Sequence, residues 1–280
     1  MQFYPRKRAA KFIPSVNWNT LSDTKEHGLL GFIAYKAGMS TAIVKYLTPP
    51  MKILSVRFYK NKVAMKEVVV SNDKELKRIV RVSKNQKSFE NEIPQGYDDI
   101  RVLCYSLPKE TSVKKTPDII ELAISAPDKL EYVKSLIGKE ILPSEIIKYN
   151  LVDVRGITKG KGTQGPMKRF GIGLKGHKSE KGRRRPGSLG PWHPARVTFR
   201  TPMMGQLGLF SRITYNLHVL SQGKVSEKDI NPSEGFKNYG KIRTSYVVVK
   251  GSVQGPAKRQ VLITPAFRPS KLQAKQKLEI

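Results

Sequence analysis

Apolar positions fall along this chain in two rhythms. Residues 29–35, 41–47, 53–59, 151–158, 213–219, 246–250 and 260–263 are short runs rich in Val, Ile, Tyr and Phe, bounded by Gly, Pro or polar residues. That composition suits strands on a half-buried pleated surface. Seven such strands with no regular helix between them predict a closed barrel. The rhythm changes within 61–150. Leu76, Ile79 and Val80 recur at helical spacing inside 73–80, with charges on the other face. A second helix is predicted after Ser125, its candidate cap. Pro127 and Asp128 suit the first turn, Leu130, Val133, Leu136 and Ile137 form the stripe, and Gly138 ends it. Residues 100–105 read as a strand between the two helices. Because the strand pattern resumes at Leu151, the expected fold class is mainly β, a closed β-barrel interrupted by an α/β insertion.

After Thr158 this patterning stops. Twelve of the 22 glycines lie between Gly156 and Gly208, with Pro166, Pro186, Pro191, Pro194 and Pro202 among them. Gly lets one backbone approach another closely and Pro stiffens the path, so 159–212 reads as a long non-globular arm. The expected organisation is a basic N-terminal extension at 1–28, a barrel from 29–60, 151–158 and 213–269, the insertion at 61–150, the arm, and a C-terminal tail at 270–280.

Charge sharpens this division. The 280 residues carry 52 Lys and Arg against 22 Asp and Glu, a net +30. Residues 61–150 are near neutral, with 16 basic and 14 acidic side chains, whereas 155–212 hold 14 basic residues against Glu180 alone. A chain so charged repels itself and calls for a polyanion. An anionic membrane is disfavoured, because no long helix has one basic and one apolar face. Nucleic acid remains, and the arm should take its order from it. Arg183, Arg184 and Arg185 offer planar forks for phosphates, and Phe170, Trp192 and His193 offer rings for splayed bases, a combination that favours irregular RNA. No recognition helix or zinc-finger spacing suits a DNA groove. Free in solution, the arm is equally compatible with a solvated basic loop, and Trp192 with a core position; Trp18 is undecided.

Other chemistry finds little support. Residues 160–165 and 171–176 both satisfy G-x-G-x-x-G, but Pro166 and the repeated glycines are expected to forbid the helix a dinucleotide site needs. His27, His177, His193 and His218 have neither helical pairing nor a thiolate nearby, so no metal or cofactor is expected. Asp98 and Asp99 read as a solvated turn and no catalytic residue is assigned. Cys104, the single cysteine, reads as a buried hydrophobe. With no long apolar run and no apolar stretch after the basic residues 6–8, a cytoplasmic chain is expected.

Several motifs resemble one family. Residues 152–166 (VDVRGITKGKGTQGP) resemble a glycine-rich stretch of the universal large-subunit ribosomal protein L3 family, and 187–197 (GSLGPWHPARV) its tip motif. Residues 3–9 (FYPRKRA), 205–208 (GQLG) with 212–214 (RIT), and 245–256 (SYVVVKGSVQGP) are similar to its opening and closing motifs. The Arg183 to Arg185 run and the Gly190-Pro191-Trp192 spelling resemble archaeal members. The resemblance implies a translation-protein barrel whose arm runs through ribosomal RNA toward the peptidyl transferase centre, with Trp192 at the tip. It places His177 near an arm histidine that some members methylate.

The expected function is therefore a structural, non-enzymatic constituent of the large ribosomal subunit that binds ribosomal RNA, assists early assembly and braces the catalytic centre. The expected RNA-binding residues are Arg6, Lys7, Arg8, Lys159, Lys161, Lys168, Arg169, Lys175, His177, Lys178, Lys181, Arg183, Arg184, Arg185, Trp192, His193, Arg196 and Arg200. Expected partners are that RNA and neighbouring large-subunit proteins, with no membrane and no second copy. The alternatives are a general nucleic-acid compaction protein, which leaves the strand-rich body unexplained, and an RNA-modifying enzyme, which lacks a cofactor loop.

Overall fold

The computed structural model describes residues 4–20, 28–40, 43–81, 89–111 and 113–276. Phe3, His27, the start of the strand expected at 41–47 and residues 277–280 of the expected tail lie outside the described residues. The first strands are β1 (Gly28–Leu29), β2 (Phe32–Ser40), β3 (Ile43–Leu47), β4 (Met51–Lys60) and β5 (Val63–Val69). They are followed by β6 (Asp99–Ser106), β7 (Ile119–Ser125), β8 (Leu151–Ile157), β9 (Thr163–Gln164) and β10 (Gly205–Gln206). The last are β11 (Ser211–Lys224), β12 (Ser245–Lys250) and β13 (Gln260–Pro265).

Six strands close a barrel in the order β11-β12-β3-β2-β13-β8. Ile263 pairs with Phe32 on one side and Val154 on the other, and Val248 pairs with Lys45. Val152, Val154, Val247, Val249, Val261 and Ile263 are all buried. Each such side chain contributes about 1.5–3 kcal/mol on leaving water, and they belong to one core that also takes in Phe58 of β4 and Val102 of β6.

One strand expected in the barrel belongs elsewhere. The run at 53–59 is part of β4, the neighbour of both β5 and β6 in a second, antiparallel sheet ordered β1-β7-β6-β4-β5. An apolar strand reads alike in either sheet, and pairing partners distant in sequence decide its place. Residues 29–35 are likewise divided, with Leu29 opposite Ile124 and Phe32 opposite Ile263.

The insertion holds more sheet and less helix than predicted. Neither β5 nor β7 was expected, because Lys66, Glu67 and Glu121 interrupt their apolar pattern. The helix expected at 73–80 is a short 3-10 turn, Lys74–Arg78, that buries Leu76 alone. The second helix is real, as α1 (Lys129–Leu136), and its buried anchor is Val133. Its cap is Asp128 rather than Ser125: the carboxylate accepts from the amides of Leu130 at 2.9 Å and Glu131 at 3.2 Å. Ser125 instead ends β7. A short α2 (Pro143–Ile146) precedes β8, α3 (Pro166–Phe170) lies in the expected arm, and α4 (Lys271–Lys275) lies in the expected tail.

The chain divides into two compact units, Met1–Ala10 with Ile157–Arg212, and Lys11–Gly156 with Ile213–Ile280. In the second, part of the expected N-terminal extension joins the core. Ile13 and Trp18 are buried. The Trp18 indole donates to the Glu121 carbonyl at 3.1 Å and meets the Phe267 ring edge-on at 6.2 Å. Asp98 is exposed at a bend and accepts the Asn61 amide at 2.7 Å, whereas Asp99 begins β6 and pairs with Lys129 at 2.5 Å and Arg101 at 3.3 Å.

Candidate nucleic-acid interface

Residues 4–10 and 157–212 contain sixteen Lys and Arg and one acid, Glu180. Among the described residues of this unit, Ile157 and Phe210 are the buried apolar side chains. Both lie at its neck, where two backbone segments run side by side. The Thr158 amide donates to the Phe210 carbonyl at 3.0 Å, Lys161 to Leu207 at 2.9 Å, and Leu207 back to Gly162 at 2.9 Å. β9 and β10 continue the pairing through Thr163 and Gln206. Glycine is needed where the segments approach most closely. Gly208 has φ +77, and a Cβ there would sit 1.9 Å from the Lys159 carbonyl oxygen.

Beyond the neck, α3 follows the first G-x-G-x-x-G stretch, although Pro166 was expected to forbid a helix. Proline is tolerated in a first turn, where its missing N–H would have no partner anyway, and Pro166 occupies that place. Gly171, left-handed at φ +70, ends the helix after five residues. No acid follows at a strand end, so the dinucleotide reading gains nothing from it.

Two of the eighteen expected RNA-binding residues serve the protein itself. Arg169 donates through Nε to the Gln206 carbonyl at 3.0 Å, through one terminal nitrogen to Met203 at 3.1 Å, and through the other to Arg6 at 3.1 Å. Arg6 donates in return to the Arg169 carbonyl and lies 4.2 Å from the Phe170 ring centroid. Tyr4 contacts Phe170 at 6.3 Å and Phe199 at 6.1 Å. Phe170 is therefore covered by cations and a tyrosine rather than free to receive a base. Backbone carbonyls leave no mark in a sequence, so this use of Arg6 and Arg169 was not legible.

The other sixteen are exposed: Lys7, Arg8, Lys159, Lys161, Lys168, Lys175, His177, Lys178, Lys181, Arg183, Arg184, Arg185, Trp192, His193, Arg196 and Arg200. Two of their side chains donate hydrogen bonds within the protein. Arg8 donates to the Gln206 side chain at 3.1 Å, and Arg183 to the Lys175 carbonyl at 3.1 Å, which folds 175–183 back on itself. The Thr201 hydroxyl reaches the Leu189 carbonyl at 3.1 Å and closes the outer loop. On that loop Trp192 is 87% exposed, beside a hollow of about 380 Å³ lined by Leu189, Pro191, Pro194 and Val197. An indole so exposed has no core to fill and is available to stack on a flat ring. Phe199 is 68% exposed, with Tyr4 edge-on to it and the Arg200 guanidinium 5.9 Å from its centroid, and the sequence reading passed over it; its neighbouring cation was the available signal.

Cys104 is fully buried, and burial pushes its thiol up to about 12. Among the described residues no group of His, Cys, Asp or Glu could hold a metal ion. No described helix is long and apolar enough to cross a membrane.

The family model described as Ribosomal protein L3 matches residues 51–280. The chain belongs to the ribosomal protein L3 family. It is 37% identical to the large ribosomal subunit protein uL3 of Methanocaldococcus jannaschii, over 96% of this chain and 90% of that protein. It is also 37% identical to the uL3 of Methanosphaera stadtmanae, over 95% and 90%. With the uL3 of Methanococcus vannielii it shares 36% identity over 96% and 90%. The ribosomal L3 match covers β4 to the end of the chain and so includes the exposed cationic excursion. These relatives are archaeal in source, in keeping with the spelling around Trp192.

Proposed function

We propose that this chain is a structural constituent of the large ribosomal subunit that binds ribosomal RNA through residues 4–10 and 157–212. It performs no chemistry of its own. The observation that carries the reading is the exposed, nearly acid-free cationic surface of that unit, joined to membership of the L3 family. Two buried apolar side chains, at about 1.5–3 kcal/mol each, stand against an ordering cost of about 1–2 kcal/mol per residue over the excursion. RNA supplies the missing order by drawing phosphates to the cations and bases to Trp192. The exposed cations neutralise closely packed phosphates while Trp192 and His193 meet unstacked bases, and the arm braces the RNA of the peptidyl transferase centre. Early binding follows from the same charge, since an arm threaded between RNA segments must be in place before they close. Partners are this RNA and adjoining large-subunit proteins, and the site of action is the cytoplasmic ribosome.

The test is cosedimentation with large subunits at moderate salt, followed by binding to ribosomal RNA fragments. If about ten phosphates are neutralised, affinity falls by roughly 10³–10⁵ between 50 and 200 mM salt. A salt-insensitive affinity overturns the reading, and equal affinity for random duplex DNA favours general compaction.

A further inference from the structure

The five-stranded sheet ends on β5, and among the described residues no strand pairs with the outer edge of β5. Its inner edge is bonded to β4 from Lys60 opposite Val63 to Ser55 opposite Val69, with an irregularity at Met65. Six of its seven residues are exposed, and Val68 alone is buried. Exposed edge strands are usually blunted by unpaired charge, proline or shortness, because their free N–H and C=O groups template further pairing. β5 carries Lys66, Glu67 and the irregularity at Met65, but its charges do not stand free at the edge. Its two charges are engaged internally. Lys66 donates to the Glu92 carbonyl at 2.7 Å and pairs with that side chain at 3.7 Å, while Glu67 accepts from Ser55 at 2.6 Å and Arg57 at 2.6 Å. What remains outward is apolar: Val63 is 68% exposed and Met65 50%.

Charge selects the occupant. At the hairpin turn Asn61 and Lys62 both have positive φ, and Lys60 and Lys62 flank the tip in solvent. An RNA backbone would suit the lysines but leave the valines and the unpaired peptide edge unused. A second copy is disfavoured, since antiparallel pairing about Lys66 would set Lys66 against Lys66 and bring together two chains of +30. We propose that the outer edge of β5 receives an extended segment of another protein, added as a sixth strand, with apolar residues toward Val63, Met65 and Val69 and carboxylates near Lys60 and Lys62. Main-chain pairing supplies the affinity, and the alternating side chains select the partner. The inference rests on the ribosomal reading only for where the partner is met, on the subunit surface.

The test introduces a photo-crosslinking residue singly at Val63 and at Val69 of the full chain and reads crosslinks in purified large subunits. The expected result is that both positions crosslink to one extended segment of a single polypeptide. Val63→Asp/Val69→Asp is expected to deplete that same polypeptide from subunits at least tenfold, with the free chain melting as the parent does. Crosslinks only to RNA, only to a second copy, or none in subunits that contain the chain overturn the proposal. If the double variant fails to fold, the single crosslinks decide. Failure of the unsubstituted chain to enter subunits overturns the ribosomal reading with it, whereas entry without a polypeptide crosslink overturns this inference alone.

Discussion

Arg6 and Arg169, 163 residues apart, each donate from the guanidinium to the other's backbone carbonyl. Two like charges are held together because each is aimed at a peptide oxygen, and the Phe170 ring lies within 5.1 Å of Arg169 and 4.2 Å of Arg6. The pair ties the N-terminal residues to α3 and to the strand returning through Met203 and Gln206. Arg169→Lys keeps the charge but loses the fork. It is expected to weaken the local structure by about 1–3 kcal/mol, seen as faster amide exchange across 203–207 in the RNA-bound chain. Exchange identical to the parent would refute the tie.

The neck depends on Gly208. A Cβ at 1.9 Å from the Lys159 oxygen cannot be accommodated by a side-chain rotation, because the obstacle is backbone. Gly208→Ala is expected to open the pairing of Lys161 with Leu207 and to expose Phe210, at a cost of at least about 1–3 kcal/mol from the left-handed φ alone. Protease cleavage within 158–162 and 205–210 measures it. Gly187→Ala, where a Cβ meets nothing within 4 Å, is the control and should be silent.

Trp192→Ala separates binding from folding. At 87% exposure the ring supports no core, so the melting temperature of the free chain should not move. Loss of one stacked base is expected to weaken RNA binding by about 1–3 kcal/mol, or roughly 5- to 150-fold. A large fall in melting temperature would place the ring in a core instead.

Cys104 sets a pH signature. Burial raises its folded-state pKa from 9.0 to about 12, so the unfolded chain releases the thiol proton first. The stabilisation is complete below about pH 8.5 and is lost as pH rises toward the folded value. Alkaline titration should therefore lower the unfolding temperature of the parent more steeply than that of Cys104→Ala. At pH 8 thiol reagents should label Cys104 only as the chain unfolds; labelling at the rate of a free thiol would contradict its burial.

Much of the body was legible from local pattern. β12 and β13 coincide closely with the runs at 246–250 and 260–263, because β-branched runs bounded by Gly or Pro have few other uses. Gly138, at φ +80, does end the helix that its position suggested. Local detail was misread in two places: Asp128, whose carboxylate meets the amides two and three residues on, took the capping role from Ser125, and of the three apolar residues in 73–80 Leu76 alone is buried, because packing from outside that segment decides burial. The exposed cations of the arm were legible because one acid cannot neutralise thirteen bases, whatever the fold.

Composition and order along the chain were enough to dictate a strand-built body, a near-neutral insertion and a cationic, glycine-rich excursion, since charge imbalance and β-branched runs are additive along a sequence. Folding in three dimensions chose which sheet took β4, left β5 at an edge, buried Trp18 against Phe267 and turned Arg6 and Arg169 inward. Those outcomes depend on contacts between residues tens to hundreds of positions apart, and on backbone oxygens that every residue carries alike.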